Sequence, residues 1–334
     1  MPDIVQQPLV SIIMPSFNRE GLIGASIASV QAQSLPAWEL LIIDDGSADG
    51  TVGVAAGYAA ADSRIRVMQR TTQPKGPSTC RNLGIAAARA PHCLFLDSDD
   101  LLASHCLAGR IAAAQAEPRV ALHVFQMQFF YEWPGDTNRL FFFADRADAL
   151  GSSLVQGSPW GITCPLWRID VLRGLEGFDE SLPSWEDWDL HIRAFAFGHT
   201  YRIHDAVDCY CRQGQVSLTS QHQSLAHVRR RTALYLKIAR VLRDQGLPLT
   251  YLNQLAGKCL TQCGELHELG DIAAAQQAWT AFAQAGILSG WKSVVGSVYL
   301  TLRRTVARDG SSLRARILRK SMSLMAPRFL IWSY

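Results

Sequence analysis

Three things are missing from this chain of 334 residues: a C-x-x-C pair, a charge-free apolar run long enough to span a bilayer, and a basic, apolar leader at its start. The eight cysteines include Cys209/Cys211 and Cys259/Cys263. Neither pair has histidines nearby at zinc-ligand spacing, so they read as buried thiols. The nine histidines show no paired ligand spacing either, and His191, His199 and His204 read as ordinary polar residues. The longest apolar stretch, GILSGWKSVVGSVYLTL, is interrupted by Lys292, whereas a membrane helix needs about 18 apolar residues. The start, MPDIVQQPLV, predicts no export and hence a cytoplasmic, reducing setting. A net charge of only +3 gives no reason to expect a nucleic-acid partner.

With 48% hydrophobic and 18% charged residues, the chain has the composition of a globular protein with a sizeable core. Short apolar runs, LVSIIM (9–14), ELLIID (39–44), RIRVMQ (65–70) and HCLFLD (92–97), alternate with segments whose small and apolar residues recur at helical spacing. That alternation predicts βαβ units and a parallel sheet covered on both faces. Ligands bind such sheets outside the carboxyl ends of the strands. Here those ends carry PSFNRE, DDGSADGT and DSDD.

Each motif also has a purely structural reading. Asp100 or Ser98 could cap the helix after DSDD, but capping accounts for one acid and not three. If the strand continues, Asp97 and Asp99 point the same way, as two hard oxygen ligands for Mg²⁺ or Mn²⁺ would. DDGSADGT could be a turn with Asp49 or Thr51 as cap, or it could offer Asp44 or Asp45 to a nucleotide base. A calcium loop is excluded, because Ala55 stands where the twelfth-position Glu belongs. WEDWDL opens a helix near Glu186, where acids suit the helix dipole. The neighbouring Trp185 and Trp188 also suit a sugar-binding surface. Arg81, behind a Gly/Pro loop, is either a solvated helix arginine or a cation turned to the rim.

Taken together and in order, VSIIMPSFNRE, ELLIIDDGSADGT, GPSTCRNLGIAAA, LFLDSDD, GFDE and WEDWDL resemble the family 2 glycosyltransferases of GT-A fold. The resemblance covers residues of about 8 to 215. It implies a Rossmann-like mixed α/β sheet flanked by helices, followed by a helical C-terminal extension. The expected division is a catalytic domain over 1–222, with a nucleotide half at about 8–117 and an acceptor half at about 118–222, and a helical region over 223–334.

By position, the resemblance puts Pro15, Ser16, Phe17, Asn18, Asp44, Asp45, Arg81, Asp97 and Ser98 at the nucleotide. Asp99, Asp97 and Asp100 would stand at a divalent Mn²⁺ or Mg²⁺, Asp187 would be the general base of an inverting reaction, and Trp160, Trp185 and Glu186 would lie on the acceptor side. The implied substrates are a nucleoside-diphosphate sugar, UDP-linked, and a glycan or lipid-linked acceptor of the kind used in cell-envelope polysaccharide synthesis. The Q-x-x-R-W signature of processive synthases is absent, which favours one sugar per encounter. A nucleotidyltransferase is the enzymatic alternative, although PSFNRE lacks the Gly-rich basic loop it would need. An inactive sugar-binding or scaffold domain is the non-enzymatic one.

From Arg303 to Arg328 the tail carries eight basic residues and one acid, Asp309, and it ends in FLIWSY. Two readings stand: a basic helix docked on the protein, or a peripheral contact with an anionic inner membrane face.

Overall fold

The computed structural model describes residues 7–141, 145–182, 184–214, 225–284, 296–297 and 300. The basic tail lies outside these residues. By internal contacts the chain forms two units, one comprising Met1–Arg146 with Trp160–Val216 and the other Ala147–Pro159 with Ser217–Tyr334.

The first unit opens with the alternation read from the sequence: β1 (Val10–Ser16), α1 (Ile23–Gln31), β2 (Trp38–Asp44), α2 (Thr51–Ala61), β3 (Ile65–Gln69), α3 (Pro77–Ala87) and β4 (His92–Phe95). Every residue of β1 and β2 is buried, as befits strands covered on both faces. The chain continues through β5 (Leu101–Leu102), α4 (Cys106–Ala116), β6 (Leu122–Phe130), then, after α5 (Ala149–Gln156) in the second unit, β7 (Pro165–Arg168), α6 (Ile169–Gly174), α7 (Glu186–Ala196) and β8 (Tyr201–Arg212). The eight strands form one sheet in the order β3-β2-β1-β4-β7-β6-β8-β5.

Strand direction decides where the chemistry gathers. β3, β2, β1 and β4 run parallel. β7 is antiparallel to β4, and β6 is antiparallel to β7, so two reversals restore the direction of β4 in β6. β8 is parallel to β6. The carboxyl ends of β1, β2, β4, β6 and β8 therefore share one rim. A buried ion pair fixes β8 behind it: Arg110 of α4 donates to both oxygens of Asp208 at 2.8 and 2.7 Å and to the Thr163 carbonyl at 2.8 Å.

The fourth strand is shorter than its apolar run suggests. It stops at Phe95, and Asp97–Asp100 form a turn in which the Asp100 N–H donates to the Asp97 carbonyl at 3.0 Å. The alternation rule for a continuing strand thus does not apply to Asp97 and Asp99.

The second unit contains α5, α8 (Leu225–Asp244), α9 (Leu249–Glu268) and α10 (Ile272–Phe282). The Tyr251 hydroxyl donates to Asp148 at 3.1 Å, and Lys258 Nζ donates to the Val155 carbonyl at 3.1 Å. These two bonds tie α9 to the α5 segment. Among the described residues no helix is long and apolar enough to cross a membrane.

Helix α3 lies so close to β1 that a Cβ on Gly84 would stand 2.4 Å from Cγ2 of Ile13, a fully buried side chain. Gly84→Ala is therefore expected to destabilise the first unit by about 1–3 kcal/mol. Denaturant unfolding measures this, and a wild-type midpoint would show that α3 is not held against β1 as described.

Candidate active site

Two loops of the rim are joined by backbone-to-side-chain bonds. Asn18, at φ 50°, donates its N–H to Ser47 Oγ at 3.0 Å, and its Oδ1 accepts from Ala48 N–H at 2.9 Å. The Arg19 N–H donates to Thr51 Oγ1 at 2.7 Å, and Glu20 accepts from Gly50 N–H at 3.0 Å. The loop after β1 is thus shaped by the loop after β2. Phe17 stays 40% exposed at its tip, with the Lys75 ammonium 3.5 Å from the ring centroid. Pro15 and Ser16 are the last residues of β1 and are buried, and Ser16 Oγ has no hydrogen-bond partner.

The two acids after β2 separate in role. Asp44 is buried, and one of its oxygens accepts the N–H groups of Gly46 and Ser47, both at 2.9 Å, while the other accepts the Ser47 hydroxyl. It shapes the turn and is not presented to a base, which corrects the expectation from sequence. Asp45 is paired with Arg70 and accepts from Gly76 N–H at 3.3 Å. Arg70 escaped the sequence reading, although the register sets Asp44 opposite Gln69 and therefore Asp45 beside Arg70.

The DSDD turn is likewise divided. Asp97 is the most open, its side chain 37% exposed, and it accepts from Arg81 Nη2 at 2.8 Å. Asp99 lies 3.4 Å from Arg19 Nε. Burial, then the charge of Asp97, raise its carboxyl above the usual range. Asp100 is buried and accepts from Arg212 N–H at 2.9 Å; burial and its two acidic neighbours push its carboxyl well up. Asp100 therefore secures the end of β8 and does not join a three-carboxylate ligand set. Ser98 is buried with it. Among the described residues no group of three or more His, Cys, Asp or Glu could hold a metal ion. Asp97 and Asp99, the two acids of the turn that are not fully buried, suit a divalent ion that takes its remaining oxygens from a bound diphosphate.

Arg81 joins this turn to α7. Its side chain is only 5% exposed and donates through Nη1 to Glu186 at 2.9 Å and through Nη2 to Asp97 at 2.8 Å. Burial works against its charge, and the two carboxylates more than restore it. It is thus a buried crosslink between two motifs. Its neighbour Asn82 clasps the backbone of Phe178, accepting from its N–H at 2.8 Å and donating to its carbonyl at 2.9 Å, and also donates to Glu180 at 2.8 Å. Thr79 donates to the other oxygen of Glu180 at 3.0 Å. From the opposite side, Arg193 holds the carbonyls of Leu175 and Gly177 and the carboxylate of Asp189, at 2.6, 2.7 and 2.8 Å.

The helix that carries Asp187 therefore begins in a restrained loop. Trp185, immediately before it, adopts φ 67°, an uncommon state for a bulky residue. Its ring meets Trp188 edge to face at 5.6 Å, and Asp187 Oδ1 accepts the Trp188 N–H at 2.7 Å. Trp185, Glu186 and Asp187 are half-buried. Trp160 is not with them: it is wholly buried, donating from its indole to His191 Nε2 at 3.1 Å, so it is a core residue and no acceptor contact. Arg19 and Lys75 also belong to the rim and escaped the sequence reading, because an isolated cation in a polar loop carries no pattern.

Residues 11–164 match the family described as Glycosyl transferase family 2. The WfgD protein of Escherichia coli, a UDP-Glc:alpha-D-GlcNAc-diphosphoundecaprenol beta-1,3-glucosyltransferase, is 44% identical over 93 residues, 28% of this chain and 36% of that protein. The GalNAc(5)-diNAcBac-PP-undecaprenol beta-1,3-glucosyltransferase of Campylobacter jejuni is 35% identical over 100 residues, 30% of this chain and 32% of that protein. The chain thus aligns with about a third of the length of these two relatives. Among solved structures, S. aureus TarS 1–349 in complex with UDP-GlcNAc superposes with a TM-score of 0.65 at 18% identity, covering 96% of this chain and 91% of that one. The mannosyltransferase PcManGT of Pyrobaculum calidifontis, in complex with GDP-Man and Mn²⁺, gives 0.55 at 16% identity over 98% and 88%. The expected α/β fold of the glycosyltransferase kind, with a helical C-terminal region, is therefore met.

Removing the crosslink should leave Asp97 and Glu186 without their cation. Arg81→Met is expected to cost about 3–5 kcal/mol of stability, measured by urea unfolding. A loss within about 0.5 kcal/mol, the range of a surface substitution, would mean the guanidinium is not a structural tie. Asp99 gives a pH test. Its folded-state pKa lies above the unfolded one, so its ionisation opposes folding, and stability falls as pH rises through the folded value. Asp99→Asn should narrow the Tm difference from wild type as the pH is lowered from 7 toward 4, with the variant the more stable at pH 7. A variant less stable than wild type at pH 7 would reverse the assigned sign.

Proposed function

We propose, on the match of residues 11–164 to glycosyl transferase family 2, that the chain is a member of that family and moves one sugar from a UDP-sugar to a hydroxyl of a glycan or lipid-linked acceptor, inverting the anomeric centre. One observation carries this reading: the buried Arg81 crosslink sets the Asp97–Asp99 turn beside the start of the helix that carries Asp187. A site for the leaving diphosphate and a base for the acceptor are thereby held to one another. The UDP-GlcNAc of the TarS structure and the undecaprenyl-diphosphate acceptors in the names of WfgD and the Campylobacter enzyme support the substrate classes.

Each residue then has a task. Asp45 accepts from an N–H of the base once Arg70 turns away, and Phe17 flanks it. Asp97 and Asp99 would hold the divalent ion, Mn²⁺ or Mg²⁺, and the Mn²⁺ in the PcManGT complex supports that choice. When bound, such an ion neutralises charge that develops on the leaving diphosphate. Asp187 takes the proton of the acceptor hydroxyl, the oxygen bonds to the anomeric carbon from the face opposite the diphosphate, and the carbon–oxygen bond to the diphosphate breaks. Glu186 neutralises Arg81 and keeps the first turn of α7 in place while this happens.

Asp187→Asn keeps the shape and loses the proton acceptor. Transfer is expected to fall by about 10²–10⁴, with UDP affinity near wild type by calorimetry. Transfer within a few-fold of wild type would remove Asp187 as the base. Asp99→Asn is expected to abolish the Mn²⁺-dependent part of UDP binding; an unchanged Mn²⁺ dependence would remove Asp99 as a ligand. Transfer is first sought by screening UDP-, GDP- and dTDP-sugars for hydrolysis.

A further inference from the structure

The hairpin that follows β6 carries two aromatic residues, Tyr131 and Trp133, that stay more than half exposed. It returns beside β6 through bonds from Phe129 N–H to the Arg139 carbonyl and from Phe141 N–H to the Met127 carbonyl, both 2.8 Å. Gln128 adds a side-chain bond to the Thr137 carbonyl at 2.7 Å. At the tip, Asp136 gathers the N–H groups of Tyr131, Glu132 and Trp133 at 3.0, 2.7 and 3.3 Å, and these donors hold its carboxyl below the usual range. The loop is ordered by polar bonds, while Tyr131 is left 51% and Trp133 61% exposed.

Its position is equally defined. Phe130 pairs with Arg212, whose guanidinium lies 4.5 Å above the Phe130 ring and donates to the Asp99 carbonyl at 3.1 Å. Tyr131 is therefore one residue from the partner of an arginine that touches the DSDD turn, on the shared rim. A Cβ on Gly214 would meet the Tyr131 ring at 3.8 Å, which places that ring over the chain leaving β8.

We infer that Tyr131 and Trp133 form a stacking platform for pyranose rings of the acceptor glycan, a subsite for sugars beyond the one that receives the new bond. This rests on the reading of the chain as a sugar transferase. Aromatic faces bury the C–H face of a sugar while its hydroxyls stay in water, and a loop held by Asp136 offers those faces with little ordering cost. Charge argues against an anionic membrane as occupant: between Tyr131 and Leu140 the acids Glu132 and Asp136 outnumber the one base, Arg139.

The full-length protein is tested on immobilised glucose, galactose and N-acetylglucosamine oligosaccharides of graded length. Wild type should bind longer chains more tightly than the matching monosaccharides. Joint Tyr131→Ala and Trp133→Ala should lower that gain about tenfold, equivalent to about 1.4 kcal/mol, with Tm and UDP affinity unchanged. Trp133→Ser alone should lower it in part, and it serves should the double variant not fold. No length dependence in wild type, an undiminished gain in the variants, or a loss of sedimentation with phosphatidylglycerol vesicles in place of saccharide binding would each overturn the platform. Donor hydrolysis in the same preparation separates this outcome from failure of the transferase reading, because it needs no acceptor.

Discussion

A single buried guanidinium sets the geometry of the rim. Arg81 carries its charge into a place where water cannot solvate it, and it is tolerable there only because Asp97 and Glu186 both face it. The converse holds as well, since Asp97 stands among Asp99 and Asp100, and Glu186 opens a helix whose first turn also contains Asp187 and Asp189. Each acid is more costly without the arginine. Three elements distant in sequence are thereby bound to a common point: α3, the turn after β4, and the start of α7. Asn82 and Thr79 extend the same helix's hold to the GFDE loop, so α3 braces the segment that leads into α7.

Sheet topology supplies the rest of the arrangement. Two antiparallel steps through β7 return β6 and β8 to the direction of β1, β2 and β4, which is why Arg212 and the Tyr131 hairpin arrive beside the DSDD turn. The buried Arg110–Asp208 pair then fixes β8 against α4. The rim thus carries one projecting hairpin on which Tyr131 and Trp133 stay more than half exposed.

Much of this was legible in the sequence, for physical reasons. β1 and β2 are covered on both faces, so their apolar runs are nearly continuous and easily seen. The polar clusters fall at strand ends because polar backbone and acids cannot continue into the covered sheet. Glu186 was recognised as a helix start because acids accumulate where the helix dipole favours them. What stayed hidden depended on partners far along the chain. Asp44 and Asp45 are chemically identical, and only the turn bonds to Gly46 and Ser47 show which one is spent. Whether the strand continued through Asp97 and Asp99 stayed open, because Arg81 and Arg212, which hold Asp97 and Asp100 of the turn, come from other elements. Trp160 was placed on the acceptor side because its burial depends on a partner, His191, that lies on another element.

The central claim is that the rim carries out a single displacement with inversion. Following the anomeric proton by NMR while the full chain, with Mn²⁺, cleaves α-linked UDP-glucose or UDP-N-acetylglucosamine tests it most directly. The account predicts that the β-configured sugar appears first, whether the acceptor is a saccharide hydroxyl or water. First appearance of the α-configured sugar would contradict it, because a second displacement would then be required and Asp187 could not be acting only as a base.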